Sequence, residues 1–333
     1  MNNSSQMKAI VITTIFPPTP ATEAFSRIEG YRLYVVGDRK TPLGWNLDGA
    51  EFISVARQEQ MRYRLTAHLP WNHYCRKMIG YMKAMEDGAE CIADTDDDNI
   101  PKSGWGFPEY GASYLKSAGG LGFVNIYSLF ASQPIWPRGL PLNMITSGDH
   151  LGNSLGIKDC LVGVWQGLAD EDPDVDAVYR LTSNKPCYFR EHEPVVLGKG
   201  TISPFNTQNT LFRRELFSLL YLPVTVTFRF TDILRGLVAQ PIMWQHGYEL
   251  GFIGATVVQK RNPHDYMKDF LSEVPMYKHA EAVVDIVASS LRSSDNVNDN
   301  LFRAYEALVR HEVIMKEEMT ALEAWLNDIN VMK

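Results

Sequence analysis

The run Ala9-Ile-Val-Ile-Thr-Thr-Ile-Phe16 is almost unbroken in its apolar and β-branched character, and it stops at Pro17-Pro18. A strand without polar alternation is one covered on both faces, as in a parallel sheet. Tyr31-Arg-Leu-Tyr-Val-Val36, closed by Gly37-Asp38, and Glu51-Phe-Ile-Ser-Val55 read as the second and third strands. A helix over 21–29 is expected between the first two. Residues 72–87 bring Tyr74, Met78, Tyr81, Met82 and Met85 round at three- and four-residue spacing, and Gly88 stands where a helix would stop. Glu90-Cys-Ile-Ala93 follows as a further strand. Strands alternating with helices predict an α/β chain with a Rossmann-type, mainly parallel sheet, and such sheets bind ligands at the carboxyl ends of their strands.

The 333 residues are 45% apolar and 21% charged, which suits one elaborated domain or two closely packed ones and excludes a disordered or fibrous chain. Residues 103–205, rich in Gly, Pro, Trp and Asn, read as a loop-rich insertion in a domain spanning 7–275. From 278 to 333 the pattern is a helical extension, with a stripe of Tyr305, Leu308, Met315, Met319, Leu322, Leu326 and Ile329 that reads as a packing face. The apolar stretch 216–228 is broken by Pro223 and flanked by Arg213, Arg214 and Arg229, so it reads as core. No apolar run reaches the length of a membrane span or a signal peptide, and a soluble, cytoplasmic protein is expected, with peripheral membrane association left open. Cys75, Cys91, Cys160 and Cys187 form no CxxC pair, so free thiols are expected rather than a zinc ribbon. A net charge of −7 argues against nucleic acid as a partner.

Asp94-Thr-Asp96-Asp97-Asp98 places four carboxylates in five positions at a strand end. Like charges so close are costly unless a cation compensates. Mg²⁺ and Mn²⁺ take oxygen ligands, and bind through one or two carboxylates plus substrate phosphates. Asp96 and Asp98, supported by Asp94 and Asp97, are therefore the candidate ligands of Mn²⁺ or Mg²⁺ in a metal–diphosphate site. A haloacid-dehalogenase-like phosphatase also carries an Asp-x-Asp pair, but on its first strand; here at least three strands precede it. Arg76 and Lys77, just before the acidic strand, and Arg39 and Lys40, after the second strand, are counter-charges for a diphosphate. Asp38 stands where a dinucleotide fold reads a ribose. Yet Pro17-Pro18-Thr-Pro20 replaces any glycine-rich loop, so an NAD site and a P-loop are both absent.

Several longer blocks resemble the STELLO-type glycosyltransferase family. They are Tyr34-Val-Val-Gly-Asp-Arg-Lys-Thr-Pro42 with Trp45, Leu69-Pro70, Arg76-Lys77 with Gly80-Tyr81, Asp94-x-Asp96-Asp97, Ile135-Trp-Pro-Arg-Gly-Leu-Pro141 and Asp172-Pro-Asp-Val-Asp-Ala-Val-Tyr-Arg-Leu-Thr182. Asn206-Thr-Gln-Asn-Thr-Leu-Phe212, Leu222-Pro-Val-Thr-Val-Thr-Phe-Arg229 and Thr231-Asp-Ile-Leu-Arg-Gly236 complete the set. More distantly, the layout is similar to the reversibly glycosylated polypeptides, nucleotide-sugar mutases whose triple Asp corresponds to Asp96-Asp97-Asp98; of their later Asp-Asp-Met-Trp block only Asp232 is retained.

The resemblance implies a GT-A-like fold and a metal-dependent glycosyltransferase of polysaccharide biosynthesis. A nucleotide-diphosphate sugar, UDP-linked, would be the donor, and a glycan or lipid-linked molecule the acceptor. Thr13, Asp38, Arg39, Arg76, Lys77, Asp96 and Arg229 are the expected donor-binding residues. Asp174, Asp176, Asn206, Gln208 and Asn209 are expected on the substrate side, the acceptor being met by the 103–205 insertion. Asp232, at the head of a helix, is the expected general base of an inverting transfer, with helix capping as its competing role. Asp172 and Arg180 are secondary candidates. Trp136, Trp165 and Trp244 are weighed as sugar-stacking rings against core packing, and His246 and His264 as third metal ligands against structural roles. A nucleotide-sugar mutase, or a non-catalytic nucleotide-sugar-binding scaffold, remains the alternative. A homo-oligomer would form through the C-terminal helices.

Overall fold

The protein is described from a computed structural model, which covers residues 7–146, 151–261 and 265–332. Strands β1 (Lys8–Thr14), β2 (Tyr31–Gly37), β3 (Ala50–Ile53) and β4 (Cys91–Thr95) form a parallel half-sheet in the order β3-β2-β1-β4. Helices α1 (Pro20–Phe25), α2 (Val55–Gln60) and α3 (Lys77–Glu86) lie in the connections. The remaining strands are β5 (Asn99–Pro101), β6 (Gly111–Lys116), β7 (Gly122–Phe123), β8 (Gly156–Asp170), β9 (Val195–Leu197), β10 (Thr201–Ile202), β11 (Asn209–Arg213) and β12 (Glu249–Gln259). β11 joins the parallel half antiparallel to β4, and β8 pairs in turn with β11, β6 and β12. The mixed sheet and its flanking helices make the α/β, GT-A-like fold that the sequence predicts.

β1 is buried from Ala9 to Ile12, as its unbroken apolar run requires. Val11 faces α3, and the two approach closely because Gly80 lies between them: a Cβ there would sit 2.5 Å from Val11 Cγ1 and 2.8 Å from Val36 Cγ2. Ile10 and Ile12 face the opposite side, in a cluster with Phe25 and Trp105. α1 is started by Thr19, whose hydroxyl accepts from Thr22 N while the Thr22 hydroxyl answers at the Thr19 backbone. β1 ends two residues before Phe16, and Ile15 and Phe16 are exposed. The third strand is shorter than expected, because Ser54 caps α2 and Val55 lies in that helix. A short 3₁₀ turn, Tyr74–Arg76, precedes α3, and Gly88 follows it with φ +88°.

The 103–205 segment departs most from expectation. It contains β8, a 15-residue strand in the middle of the sheet, so it is not merely a loop-rich insertion. Gly163, Gln166 and Gly167 interrupt the apolar pattern that would have announced it. Gly167 is required by close approach: a Cβ there would sit 2.4 Å from Asn209 Nδ2. Around it lie short elements, among them α4 (Tyr127–Phe130) and α5 (Ala177–Thr182).

Four further helices follow: α6 (Thr231–Gln245), α7 (Tyr266–Ser290), α8 (Val297–Arg310) and α9 (Glu318–Val331). α6 is buried on every side from Thr231 to Met243. Gly236 lets it approach the 203–208 segment, since a Cβ would sit 2.4 Å from Phe205 O. The β-rich stretch 224–230 is not a strand. Its leading N–H groups, on Val224 and Thr225, instead bond the buried Glu318 carboxylate at 2.9 and 2.7 Å. Leu308, Leu322, Leu326 and Ile329 of the apolar stripe are buried within the chain, while Met315 is exposed. Among the described residues, no helix is long and apolar enough to cross a membrane. All four cysteines are buried and unbridged.

Candidate active site

A cleft of about 400 Å³ opens where the carboxyl ends of β1, β2 and β4 meet the head of α6. Thr13 and Thr14 come from β1, Asp38 from the end of β2, and Asp96, Asp97 and Asp98 from the turn after β4. Arg138, Asp174, Asn206, Thr207, Gln208, Arg229, Asp232, Gln259 and Arg261 line it as well, with an aromatic wall of His73, Tyr74 and Phe228.

The acidic turn divides by burial. Asp94 belongs to β4, is fully buried and forms ion pairs with Lys77 at 2.9 Å and Arg235 at 2.7 Å. It does not line the cleft, so its expected part in a metal set is corrected: its charge is spent on two buried cations. Asp96 keeps 35% of its side chain exposed and accepts from Lys77 Nζ at 2.7 Å. Thr14 Oγ1 donates to Asp97, and Gln259 Nε2 donates to Asp98 Oδ2 at 3.1 Å. Asp98 Oδ1 is buried and has no hydrogen-bond partner among the described residues. Burial, Lys77's pull notwithstanding, pushes the Asp96 carboxyl up to about 7, and burial with neighbouring like charge raises Asp97 and Asp98 to about 6.

These are the features of a site short of positive charge. Among the described residues no group of three or more His, Cys, Asp or Glu side chains forms a ready ligand set. Asp96 and Asp98, both in the cleft lining, would suit a cation held by one or two carboxylates and completed by ligand oxygens. The orphaned Asp98 oxygen is the clearest vacancy for such a bond.

The cationic residues fall out differently from expectation. Arg76 is buried outside the cleft lining, with Nε donating to Gln58 Oε1 at 2.8 Å, Nη1 to Leu69 O at 3.2 Å, and its guanidinium 3.4 Å from the Trp71 ring centre. Lys77, fully buried, bonds Asp94, Asp96 and Thr95 O. Neither is free to reach a diphosphate. Arg39 also meets Trp71, its guanidinium 4.5 Å from that ring centre, and is outside the lining, as is Lys40. Arg229 alone of the expected cations lines the cleft.

Asp232 reaches the cleft as the second residue of α6, but its carboxylate is committed. Arg138 donates Nη1 to Oδ1 at 3.0 Å and Nη2 to Oδ2 at 2.8 Å. Tyr74 Oη donates to Oδ1 at 3.3 Å. Burial would raise this acid; Arg138, with Arg235 and Arg229 behind it, pulls it down to about 2. So placed, Asp232 is a weak base, and the general-base role is not one this geometry favours. Nor does it cap α6, whose N-cap residue is Phe230, without a side-chain bond.

Arg138 also donates to both oxygens of Asp174, each at 2.8 Å, and Asn206 Nδ2 donates to Asp174 Oδ2 at 2.8 Å. Asp174, Asn206 and Gln208 therefore reach the cleft. Asp176 and Asn209 do not: Asp176 caps α5 and accepts from Trp136 Nε1, while Asn209 sits in β11, bonded to Trp105 and Thr256. Asp172 pairs with Arg180. Trp136, Trp165 and Trp244 are packing residues outside the cleft. His246 bonds Asn300 away from it, and His264 lies outside the described residues.

Sequence reasoning missed Arg138, although it sits inside the 135–141 block. It also missed the aromatic wall, since Tyr74 read as part of a helix face. His73 stacks on Tyr74, ring centres 5.1 Å apart, and Phe228 meets both edge-on. Burial lowers the His73 imidazole to about 4, so it is neutral at pH 7.

The fold and cleft together define an α/β, GT-A-like protein with an acidic strand end lining a cleft. Comparison with known proteins shows what the chain is similar to. The family model for STELLO glycosyltransferases matches residues 229–333. Two Arabidopsis thaliana proteins are similar along nearly the whole chain: probable glycosyltransferase STELLO2, 29% identical over 97% of this chain and 44% of its own length, and probable glycosyltransferase STELLO1, 26% identical over 98% and 45%. The chain is similar to these STELLO-type glycosyltransferases, and it spans less than half the length of the two proteins.

Proposed function

We propose that the protein is a metal-dependent glycosyltransferase that takes a sugar from a nucleotide-diphosphate donor, UDP-linked, to a glycan or lipid-linked acceptor. The observation that carries this reading is the acidic turn at the end of β4: Asp96, Asp97 and Asp98 in the cleft, raised in pKa, with Asp98 Oδ1 buried and unpaired among the described residues. Asp98 and Asp96 would hold Mn²⁺ or Mg²⁺. When bound there, such a cation would supply the positive charge that offsets a diphosphate leaving group.

The chain's own residues do the rest. Arg229, which lines the same cleft, offers positive charge to the diphosphate. Asp38, at the end of β2, accepts from Arg39 N at 2.7 Å and His73 N at 3.2 Å, which fixes a carboxylate beside the aromatic wall for ribose or base recognition. His73, Tyr74 and Phe228 give flat faces on which a base or sugar ring can stack. Asn206 and Gln208 supply amides for hydroxyl groups. Arg138, clamped between Asp174 and Asp232, presents a fixed guanidinium to the same space.

The test is to incubate the protein with Mn²⁺ and a panel of nucleotide sugars, with and without oligosaccharide acceptors, and to measure nucleoside diphosphate release. Release that depends on both the cation and one donor supports the proposal. A ring-isomerised donor without release would mean a mutase instead. Binding of a nucleotide sugar with no turnover would mean a non-catalytic scaffold, and no binding of any nucleotide sugar would overturn the proposal.

A further inference from the structure

One buried carboxylate of the C-terminal helices touches a cationic side chain of the cleft, Arg229. Glu273, on α7, is fully buried. Its Oε1 accepts from Arg229 Nε at 2.9 Å, with Arg229 Nη2 at 2.8 Å. Its Oε2 accepts from Ala177 N at 2.7 Å and Tyr277 Oη at 2.6 Å. Ala177 opens α5, directly after the 172–176 turn that carries Asp174 into the cleft. One carboxylate therefore ties three parts together: α7, the turn bearing Asp174, and the Arg229 side chain.

The geometry fixes which edge of Arg229 remains available. Nε and Nη2 face Glu273, and Nη2 also meets Val175 O at 3.3 Å. Nη1 makes no bond to any described residue and belongs to a side chain that lines the cleft. An arginine on a long flexible stem would otherwise lose rotamer entropy each time it bound an anion, and a fork already anchored on one edge has less to lose. A fully buried carboxylate is also expensive unless its partners are fixed, which suits an anchor better than a solvated surface pair.

We infer that Glu273 is a positioning residue for the donor site: it holds Arg229 with its free edge toward the diphosphate, which makes α7 part of the donor-binding unit rather than an appendage. This rests on the proposed donor reading, but it can fail separately.

The experiment measures the affinity of the full chain for UDP and for uridine, each with Mn²⁺, by calorimetry. In Glu273→Gln, UDP affinity should fall about 10-fold or more, the scale of a charge-assisted hydrogen bond, while uridine affinity stays within about twofold. Arg229→Ala should show the same selective loss. Adding Glu273→Gln to Arg229→Ala should cost UDP affinity nothing further, because the carboxylate acts through the arginine; a merely structural role would lower both ligands' affinities, and would do so in the Arg229→Ala background too. If Glu273→Gln does not fold, Tyr277→Phe, which removes one donor to Glu273 and keeps its charge, should still weaken UDP more than uridine. Equal loss for the two ligands, an unchanged UDP affinity, or additive losses in the double variant would overturn the role of Glu273 while leaving wild-type UDP binding intact. A wild-type chain that binds no UDP with Mn²⁺ would overturn the donor reading and this inference together.

Discussion

Arg138 grips Asp232 through two parallel bonds, at 3.0 and 2.8 Å, with both side chains almost fully buried. Arg138 bonds Asp174 equally closely, so one guanidinium carries two carboxylates. Asp232→Asn, nearly isosteric, should therefore act first on stability. Removing one partner of a buried pair costs about 3–5 kcal/mol, and the low end applies because Asp174 still neutralises Arg138. Urea unfolding checks this. A variant as stable as the wild type would return Asp232 to consideration as a free base.

The same pair sets an acid limit. The Asp232 carboxyl is lowered in the fold to about 2, from about 3.9 in an unfolded chain. A depressed acid contributes stability that is present above about pH 4 and is lost as pH falls through about 2. Thermal unfolding between pH 5 and pH 2 should show this loss. It should be smaller in Asp232→Asn, and an identical slope in both proteins would contradict the assignment.

Asp96, Asp97 and Asp98 titrate with the opposite sign. Their folded values, about 7, 6 and 6, are raised, so ionising them opposes folding as pH rises from about 4 to 7. A cation relieves that cost only once they are ionised. The rise in melting temperature on adding Mn²⁺ should be small at pH 5 and larger at pH 8. It should shrink at pH 8 in Asp98→Asn; a shift independent of pH and of Asp98 would place the ion elsewhere.

Arg76 offers a contrast within the same short segment. Its bonds to Gln58 and Leu69 and its stacking on Trp71 are structural. Arg76→Ala should lower stability and weaken UDP and uridine binding alike. A loss confined to UDP would show that Arg76 reaches the diphosphate after all.

Glu318 joins α9 to the segment leading to Phe228 and Arg229, accepting from Tyr221 Oη, Val224 N, Thr225 N and Thr225 Oγ1. Glu318→Ala strands these donors, each costing about 1–3 kcal/mol if left buried and unmet. Hydrogen exchange should then accelerate over 223–228 before it does in β1. Uniform acceleration along the chain would mean global destabilisation instead.

The parallel half of the sheet was legible because β1 and β2 carry their burial in local composition, and Gly88 marks where α3 stops. β8 was not, since Gly163 and Gly167 answer to partners distant in sequence, and no local pattern records a neighbour such as Asn209. The site divides in the same way. Asp96, Asp98, Asp174 and Arg229 were placed in the cleft by their position at strand ends and in family-like blocks. Arg76, Lys77, Asp94 and Asp176 carried the right charge at plausible positions, yet each is turned into the fold by a partner the sequence does not display: Trp71, Asp94 with Asp96, Arg235, and Trp136. Arg138 was overlooked because its two acidic partners lie 36 and 94 residues away.

Calorimetric titration of UDP into the protein at pH 8, first with Mn²⁺ and then with the cation chelated, reads the acidic turn and the diphosphate site at once. Binding should appear with Mn²⁺, disappear on chelation, and be lost in a combined Asp96→Asn and Asp98→Asn variant that still unfolds cooperatively. UDP binding of equal strength with the cation removed, or in that variant, would contradict a donor held through metal at the end of β4.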